Sequence, residues 1–304
     1  MPGLSLRLFQ KGFVWWPSLL TAAIVGIHHF GRQGKEGEFI DGLFYASIAR
    51  NQALGQGSFW RPYFSETFWL PYADGRVFYD NPPLVFGLEA LGFRLLGDHW
   101  WVERLLGTLA LLSLFLLLTK TLRLLFPGSS FRHHAWLPIL LTYCFYQVRW
   151  GYTNNVLETY LVLFDWGAVL WLLDPQAGRY RPSQRAGAAL CLVLAFLTKG
   201  PAGLFPFVTP VLLGIFWPER LPLRRAFIEM AWLVGLWGCG VGGLLLFEAP
   251  RRYLNHFWVH QVLDAVAGRR EGIMGTLTQQ RGVILSWLLT EIYRPCCSPP
   301  WWGS

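Results

Sequence analysis

Apolar residues in this chain are gathered into long blocks that short polar segments separate. The blocks that are apolar enough to form membrane spans cover residues 13–30, 103–126, 135–149, 156–173, 186–198, 201–217 and 226–247. Several are shorter than the ~20 residues that a helix needs to cross the hydrocarbon core of a bilayer. Aromatic residues at their ends, such as Trp150 and Tyr152, would complete the short ones. The pattern predicts an all-α, polytopic membrane protein with about seven spans.

The charges of the connecting loops predict the topology. The N-terminus and the loops at 120–134, 174–185 and 217–225 are basic, and basic loops remain in the cytoplasm. All four lie inside only if the apolar segment 82–98 does not cross the membrane. An inverted N-terminus would also place the later loops inside, but it would put Arg7 and Lys11 outside. We therefore predict a cytoplasmic N-terminus and a segment 82–98 that stays on the outer face.

The residues of that segment agree with a helix that lies in the outer interface. Glu89 and Arg94 would be costly at the centre of the bilayer. Its leucines recur at helical spacing, at Leu84, Leu88, Leu91 and Leu95. Asn81 is a suitable N-cap and Pro82 suits the first helical position. These assignments place Asp80 beside the positive end of the helix dipole.

Composition limits the classes of function. Of the 304 residues, 53% are apolar and only 14% are charged, which is typical of a membrane protein. The net charge of +8 comes from short clusters between apolar blocks, so topology explains it without a nucleic-acid partner. The five cysteines are single or adjacent, and they predict neither a disulfide framework nor a metal site.

Polar residues collect on the predicted outer face, in the external segments 31–102 and 248–285 and at the outer ends of spans. The candidates are Asp41, Asp80, Asn155, Glu158 and Lys199, followed by Arg269 and Arg270. Acids and bases that several spans deliver to one side of a membrane would suit a lipid-phosphate substrate. Glu158 is the most informative of them, because an acid at membrane depth usually faces an interior or a cavity.

Each candidate also has a structural interpretation. Asp41 would be a solvated loop acid or would cap a helix over 42–54, and Asp80 would be a helix-end anion. Glu158 would cap its own helix. Lys199, in the Gly-Pro break 198-TKGP-201 that predicts a tight outside turn, would reach back to the interface. Arg269 and Arg270 would be surface charges.

Four stretches in order resemble the integral-membrane GT-C glycosyltransferases of the protein O-mannosyltransferase and lipid A aminoarabinose transferase type. They are 40-IDGLFYASIARNQALGQGSFW-60, 80-DNPPLVFGLEALGFRLLGDHWWVERLLG-107, 154-NNVLE-158 and 197-LTKGPAGLFP-206. The resemblance implies a GT-C transmembrane bundle with interfacial helices in the first external loop, extending over residues 1–293. It implies inverting transfer of a sugar from a polyprenyl-phosphate carrier to a lipid, protein or glycan acceptor, outside a bacterial inner membrane.

The same resemblance implies roles for single residues. Asp41 and Asp80 are the expected catalytic carboxylates, and they are also the expected ligands of a divalent metal ion. The residues expected to bind substrate or phosphate are Lys199, Glu158, Asn155, Arg104, Arg269 and Arg270. A carboxylate would take the proton of the acceptor hydroxyl, and positive charge would stabilise the departing phosphate.

The sequence departs from the family at three positions and at its end. Gly42 stands where many members have a second acid, Asp80 replaces the commoner Glu, and Asn81 replaces a Lys or His. The tail 294-RPCCSPPWWGS-304 is atypical and predicts a truncation or a frameshift. Two other functions remain open: a flippase for lipid-linked sugars, which would need an inverted repeat, and an inactive subunit.

Overall fold

The computed structural model of the chain describes residues 15–34, 39–64 and 77–264, and within these ranges the fold is almost entirely helical. The helices are α1 (Trp16–Gln33), α2 (Ile40–Ala53), α3 (Leu84–Leu96), α4 (Val102–Leu125), α5 (Trp136–Cys144), α6 (Tyr146–Gly151), α7 (Leu157–Leu172), α8 (Pro182–Lys199), α9 (Thr209–Phe216), α10 (Leu223–Leu245) and α11 (Glu248–Phe257). Two 3₁₀ segments, Ser130–His133 and Gly200–Val208, and a π-helical turn, Trp258–Leu263, complete the helical structure. Strands β1 (Gly57–Ser58) and β2 (Arg61–Pro62) form one antiparallel hairpin. The predicted all-α class is confirmed.

Three helical stretches in the described part are long and apolar enough to span a membrane. They are Val102–Leu125, Pro182–Phe216 and Leu223–Leu245. The first of them, α4, shows why such helices suit a bilayer. It exposes Leu109, Leu112 and Leu116 on one face and buries Leu111 and Leu114 on another. A helix that is apolar on its exposed face as well as its buried face is stable in lipid.

The chain reverses direction between α8 and α9, as the Gly-Pro break predicted. Gly200 has φ of 63° and ψ of −139°, a backbone conformation open to glycine. Gly203 then packs against Ala195, with a Cβ built on the glycine 2.7 Å from the alanine Cβ. Residues eight apart in one continuous helix would be about 12 Å apart. The stretch Pro182–Phe216 is therefore a helical hairpin with Lys199 at its turn.

Buried apolar side chains join the helices into one bundle. The largest cluster connects α2, α3, α4 and α7 through Ile48, Phe86, Leu111 and Leu157. A second cluster connects α7, α8, α9 and α10 through Leu172, Ala188, Leu213 and Leu233. The short helix α2 packs mainly against α3, so the two helices of the first polar region form a unit.

The start of α3 differs from the prediction. Asn81 is not the N-cap and Pro82 is not the first helical residue, because the helix begins at Leu84 after Pro83. The Asn81 side chain instead points to the Tyr45 hydroxyl, at 3.5 Å. With 13 residues α3 is about 20 Å long, which is too short for a hydrocarbon core of ~30 Å. Its position in the outer interface stays a prediction.

The leucines of α3 do not form its buried face. Leu88, Leu91 and Leu95 are exposed, whereas the opposite face packs into the protein. That buried face includes Glu89, which has no exposed surface. The helix therefore directs a carboxylate into the protein and presents leucines outward.

The block 135–149 is not one span. The chain forms α5 and α6 on either side of Phe145, whose φ of −66° and ψ of 130° are extended. Each of the two helices is too short to cross a membrane by itself. This break places the end of α6 beside the loop that precedes α7.

Candidate functional site

Helix α2 carries the first predicted carboxylate. Asp41 lies in the first turn of α2 and does not cap it, since the N-cap position is Phe39 and no side-chain cap is present. Four residues later, Tyr45 lies on the same helix face. Asp41 is exposed and Tyr45 is half-buried.

Asp80 comes from the extended segment before α3, which α11 holds in place. The Tyr253 hydroxyl lies between the carbonyl oxygens of Phe78 and Asn81, at 2.8 and 2.7 Å. Gln261, in the π-helical turn after α11, donates a hydrogen bond from its amide to Asp80. The position of Asp80 thus depends on contacts between segments that are about 180 residues apart in the chain.

Glu158 and Lys199 form an ion pair. Glu158 is in the first turn of α7 and Lys199 is the last residue of α8, and the lysine Nζ donates to Glu158 Oε1. Their side chains are 55% and 32% exposed. This pair joins two residues that the sequence predicted separately. It also leaves the ammonium group accessible from solvent.

Three carboxylates act electrostatically on one phenol, that of Tyr45. Burial raises the pKa of Tyr45 above its ordinary value, and the negative charges of Asp41, Glu158 and Asp80 raise it further. Each of the three charges is within electrostatic range of this hydroxyl. The structure therefore brings Asp41, Asp80, Glu158 and Lys199 into one site, which we call the carboxylate cluster.

Asn155 lies behind this cluster. It is buried, and its Nδ2 donates to the Gly42 carbonyl and to Glu89 Oε2, both at 3.3 Å. Its backbone has a left-handed φ of 49°, which asparagine tolerates better than most residues. The amide that was predicted to bind phosphate is thus engaged with the protein.

Arg104 belongs to a different set of contacts. It donates to the Gln33 carbonyl at the end of α1, and its guanidinium lies 4.9 Å from the centroid of the Trp100 ring. Gln33 in turn bonds to the Thr108 hydroxyl, at 2.8 Å. These contacts tie α1 to α4, and phosphate binding by Arg104 stays a prediction. Arg269 and Arg270 lie outside the described residues.

The described residues offer few metal ligands. They contain no group of three or more His, Cys, Asp or Glu side chains arranged to hold a metal ion. Asp41 and Asp80 both act electrostatically on Tyr45 and would supply two carboxylates. Two carboxylates suit Mg²⁺ when water and substrate phosphate complete its coordination. The metal ion stays a prediction.

A cavity of about 670 Å³ lies beside the Lys199 turn. Its apolar lining comes from Phe196, Trp237, Val241, Leu245, Leu254 and Trp258, and its polar lining from Glu248, Arg251, Arg252 and Asn255. Phe196 is one turn before Lys199 on α8. Phe257, next to Trp258, covers Gly200 so closely that a Cβ there would lie 2.5 Å from the ring. The cavity therefore borders the end of α8 at which Lys199 lies.

Sequence reasoning missed three members of the site. Tyr45 gave no signal beyond its spacing from Asp41, and Gln261 gave none. Glu89 did give one, because an acid inside an apolar run is costly unless it faces the protein interior. The structure gives that interior partner as Asn155.

Comparison with known proteins identifies a family and a fold. The sequence profile of the dolichyl-phosphate-mannose-protein mannosyltransferases matches residues 80–240, just over half of the chain. No curated protein sequence matches it.

Two solved structures share its fold. The crystal structure of ArnT from Cupriavidus metallidurans bound to undecaprenyl phosphate has 17% identity and a TM-score of 0.57, over 81% of this chain and 44% of ArnT. The apo state of the same protein has 18% identity and a TM-score of 0.53, over 83% of this chain and 44% of ArnT. The chain thus spans less than half the length of these structures. The shared fold and the apolar stretches make it an integral membrane protein and confirm the predicted helical membrane bundle.

Proposed function

Because the chain belongs to the dolichyl-phosphate-mannose-protein mannosyltransferase family, we propose that it forms the catalytic part of a polyprenyl-phosphate-dependent glycosyltransferase. The observation that carries this proposal is the carboxylate cluster, where three acids act electrostatically on Tyr45 and one of them, Glu158, is paired with Lys199. An apolar cavity borders the same end of α8. The acceptor is a hydroxyl of a protein, lipid or glycan. In the product, the sugar is attached to the acceptor with inverted anomeric configuration.

Asp41 is the proposed general base. In one displacement the acceptor oxygen bonds to the anomeric carbon, the bond from that carbon to the phosphate oxygen breaks, and the acceptor proton passes to a carboxylate. Glu158 is paired with Lys199 and Asp80 accepts a hydrogen bond from Gln261. Asp41 has no ion-pair or hydrogen-bond partner for its carboxylate among the described residues, and it is exposed. An unpaired, accessible carboxylate is the best placed of the three to accept a proton.

Lys199 is the proposed partner of the leaving phosphate. As the bond to the anomeric carbon breaks, negative charge develops on a phosphate oxygen, and a nearby ammonium group stabilises it. The exposed pair with Glu158 allows this, since a phosphate can replace one carboxylate oxygen without a buried charge being left alone.

The neighbouring cavity would hold the carrier. Trp237, Val241 and Leu245 recur at four-residue spacing and form an apolar stripe along α10. Arg251 stands at the polar end of this stripe. An isoprenoid chain with a phosphate at one end has the same division of polarity. That undecaprenyl phosphate is bound in one of the ArnT crystal structures agrees with such a carrier.

The proposed orientation follows from the loop charges. The carboxylate cluster lies at the Lys199 end of α8, whereas the basic loop 174–185 leads into its other end. With that loop in the cytoplasm of a bacterial inner membrane, the cluster faces outward. Labelling of a cysteine introduced at position 98 with a membrane-impermeant reagent tests this, and protection from the outside would contradict it.

Transfer of a radiolabelled sugar tests the reaction. Membranes that contain the 304-residue chain are given a polyprenyl-phosphate sugar, and label is followed into protein, lipid and glycan fractions. Asp41→Asn keeps the size of the side chain but removes the base, so we expect transfer to fall by about 10²- to 10⁴-fold. Asp174→Asn is the matched control, because Asp174 lies in the basic loop.

The outcomes separate the alternatives. Unchanged transfer by Asp41→Asn would show that Asp41 is not the base. Movement of labelled carrier across the bilayer without transfer would favour a flippase. A chain that folds but neither transfers nor moves the label would be an inactive subunit.

A further inference from the structure

The end of α6 and the loop that follows it contact the start of α2 on the N-terminal side of Asp41. Asn154 Oδ1 accepts a hydrogen bond from the Phe39 N–H, at 2.8 Å. The same side chain donates from Nδ2 to the Trp150 carbonyl, at 2.7 Å, which fixes its orientation. The Phe39 and Trp150 rings also meet edge to face, with centroids 5.0 Å apart. The backbone two residues before Asp41 is therefore bound to another part of the chain.

Asn155 hydrogen-bonds to the backbone of Gly42, the residue after Asp41. Its Nδ2 bonds at 3.3 Å to the Gly42 carbonyl and at 3.3 Å to Glu89 Oε2 on α3. Both side chains are buried, with Glu89 at 0% and Asn155 at 5% exposure. A buried carboxylate and a left-handed asparagine each cost free energy, and a fold retains such groups where their geometry is needed.

We propose that Asn154, Asn155 and Glu89 form a clamp that positions Asp41 for proton transfer. Their contacts bracket Asp41 on both sides, at Phe39 and Gly42. The three are positioning residues, because Asn154 and Asn155 bond to the backbone beside Asp41 and Glu89 bonds to Asn155. The inference rests on the proposed role of Asp41 as the base, and it reassigns Asn155 from phosphate binding to positioning.

The first turn of α2 needs such external support. Helix starts leave backbone N–H groups without partners, and α2 has no side-chain cap to stabilise its first turn. The side chains of Ile40 and Leu43 on either side of Asp41 and Gly42 are 60% and 54% exposed. Apolar packing at this turn is therefore weak, and the polar contacts of the clamp set the backbone that carries the carboxylate.

Asn155→Gly is the main test. Glycine permits the left-handed backbone and removes only the amide. We expect kcat for sugar transfer to fall on the order of 10- to 100-fold, because a small misplacement of a catalytic group has that effect. KM for the polyprenyl-phosphate sugar should stay unchanged. Ala177→Gly is the matched control, because Ala177 also has a positive φ, 51°, and lies in the basic loop away from the cluster.

A double substitution separates positioning from general damage. If Asn155 acts through Asp41, adding Asn155→Gly to Asp41→Asn lowers the remaining rate no further. Losses that multiply, or a raised KM with an unchanged kcat, would overturn the proposal. Asn154→Ala removes a contact near the surface and gives a milder variant in which kcat should fall several-fold on the same grounds.

Cysteine labelling tests the clamp without any transferase assay. In a chain whose five cysteines are replaced by serine, Ile40→Cys reports the freedom of the α2 start. We expect Asn155→Gly to raise its rate of alkylation by a water-soluble maleimide, and Ala177→Gly to leave that rate unchanged. An equal rate in all three chains would refute the clamp even if transfer is observed. A raised rate in a chain without transfer would leave the clamp intact and count against the proposed function.

Discussion

The two ends of α8 each carry an ion pair, and the two pairs differ in solvent exposure and in the number of their hydrogen bonds. At the N-terminal end, Arg185 makes two hydrogen bonds to Glu229 on α10, at 2.7 and 2.6 Å, and the carboxylate is 2% exposed. At the C-terminal end, Lys199 makes one contact to Glu158, and that carboxylate is 55% exposed. One pair is enclosed and doubly bonded, and the other is open and singly bonded.

The difference separates a pair that stabilises the fold from a pair that is open to the proposed chemistry. Glu229 also accepts from the Tyr180 N–H, at 3.4 Å, so the enclosed pair fixes α8, α10 and the loop between α7 and α8. Removing either partner would leave a charge buried. The open pair contributes little to stability, as exposed pairs generally do. In the proposed reaction, this pair would exchange its carboxylate for a phosphate.

The largest expected effect follows the loss of the enclosed pair. Glu229→Leu leaves the Arg185 guanidinium without its carboxylate and should lower the free energy of unfolding by about 3–5 kcal/mol. Unfolding by SDS titration in detergent micelles measures it. The double variant Arg185→Leu with Glu229→Leu should recover most of this loss, because two apolar residues replace a buried pair at little cost. A stable single variant would remove the contrast between the two ends.

The open pair should show the reverse behaviour. Lys199→Ala should lower the rate of sugar transfer about 100-fold, as the loss of one charge-stabilising donor does. Its free energy of unfolding should change by less than about 1 kcal/mol. Lys120→Ala is the control, since that ammonium lies 5.9 Å from the centroid of the Trp171 ring, outside the cluster. If Lys199→Ala transferred sugar normally but unfolded easily, Lys199 would be a structural residue.

The turn that presents Lys199 should be sensitive to a single methyl group. Gly200→Ala would place alanine in a backbone conformation suited to glycine. Its new Cβ would also lie 2.5 Å from the Phe257 ring. We expect a loss of about 2 kcal/mol or more in the free energy of unfolding, together with slower transfer. Gly55→Ala is the matched control, because Gly55 has φ of 82° and nothing within 4 Å of a built Cβ. Equal losses in the two variants would show that the Phe257 contact is unimportant.

A third ion pair tests whether burial or hydrogen-bond geometry determines how much an ion pair contributes to stability. Arg50 bonds to both oxygens of Asp98, at 2.6 and 2.5 Å, yet the two side chains are 50% and 42% exposed. Asp98→Asn should therefore change stability least of all these variants. The hydrogen bond from Arg50 holds the pKa of Asp98 below its ordinary value. Its small contribution should be present at neutral pH and disappear as the pH falls below about 4. A large effect at neutral pH would mean that geometry outweighs burial.

Much of the site was visible in the sequence. Helix 42–54 was predicted and α2 runs over Ile40–Ala53, because its boundaries follow local signals. Asp41, Asp80, Glu158 and Lys199 were recognised because charges are conspicuous beside apolar blocks. The start of α3 was predicted wrongly, since Asn81 faces Tyr45, 36 residues earlier, instead of capping its own helix. A local pattern cannot register a competing partner that distant.

The sequence by itself determined which residues form helices and which charges stand at their ends, since apolar periodicity, proline and glycine act over a few neighbouring residues. Only the tertiary structure decided which charges meet. Glu158 and Lys199 are 41 residues apart and Asn155 and Glu89 are 66 apart. Helix packing brings each pair together, and a buried polar group bonds to whatever partner the packing places beside it. For that reason Asn155 bonds to the Gly42 carbonyl beside Asp41, while Lys199 stays partly exposed in its pair with Glu158.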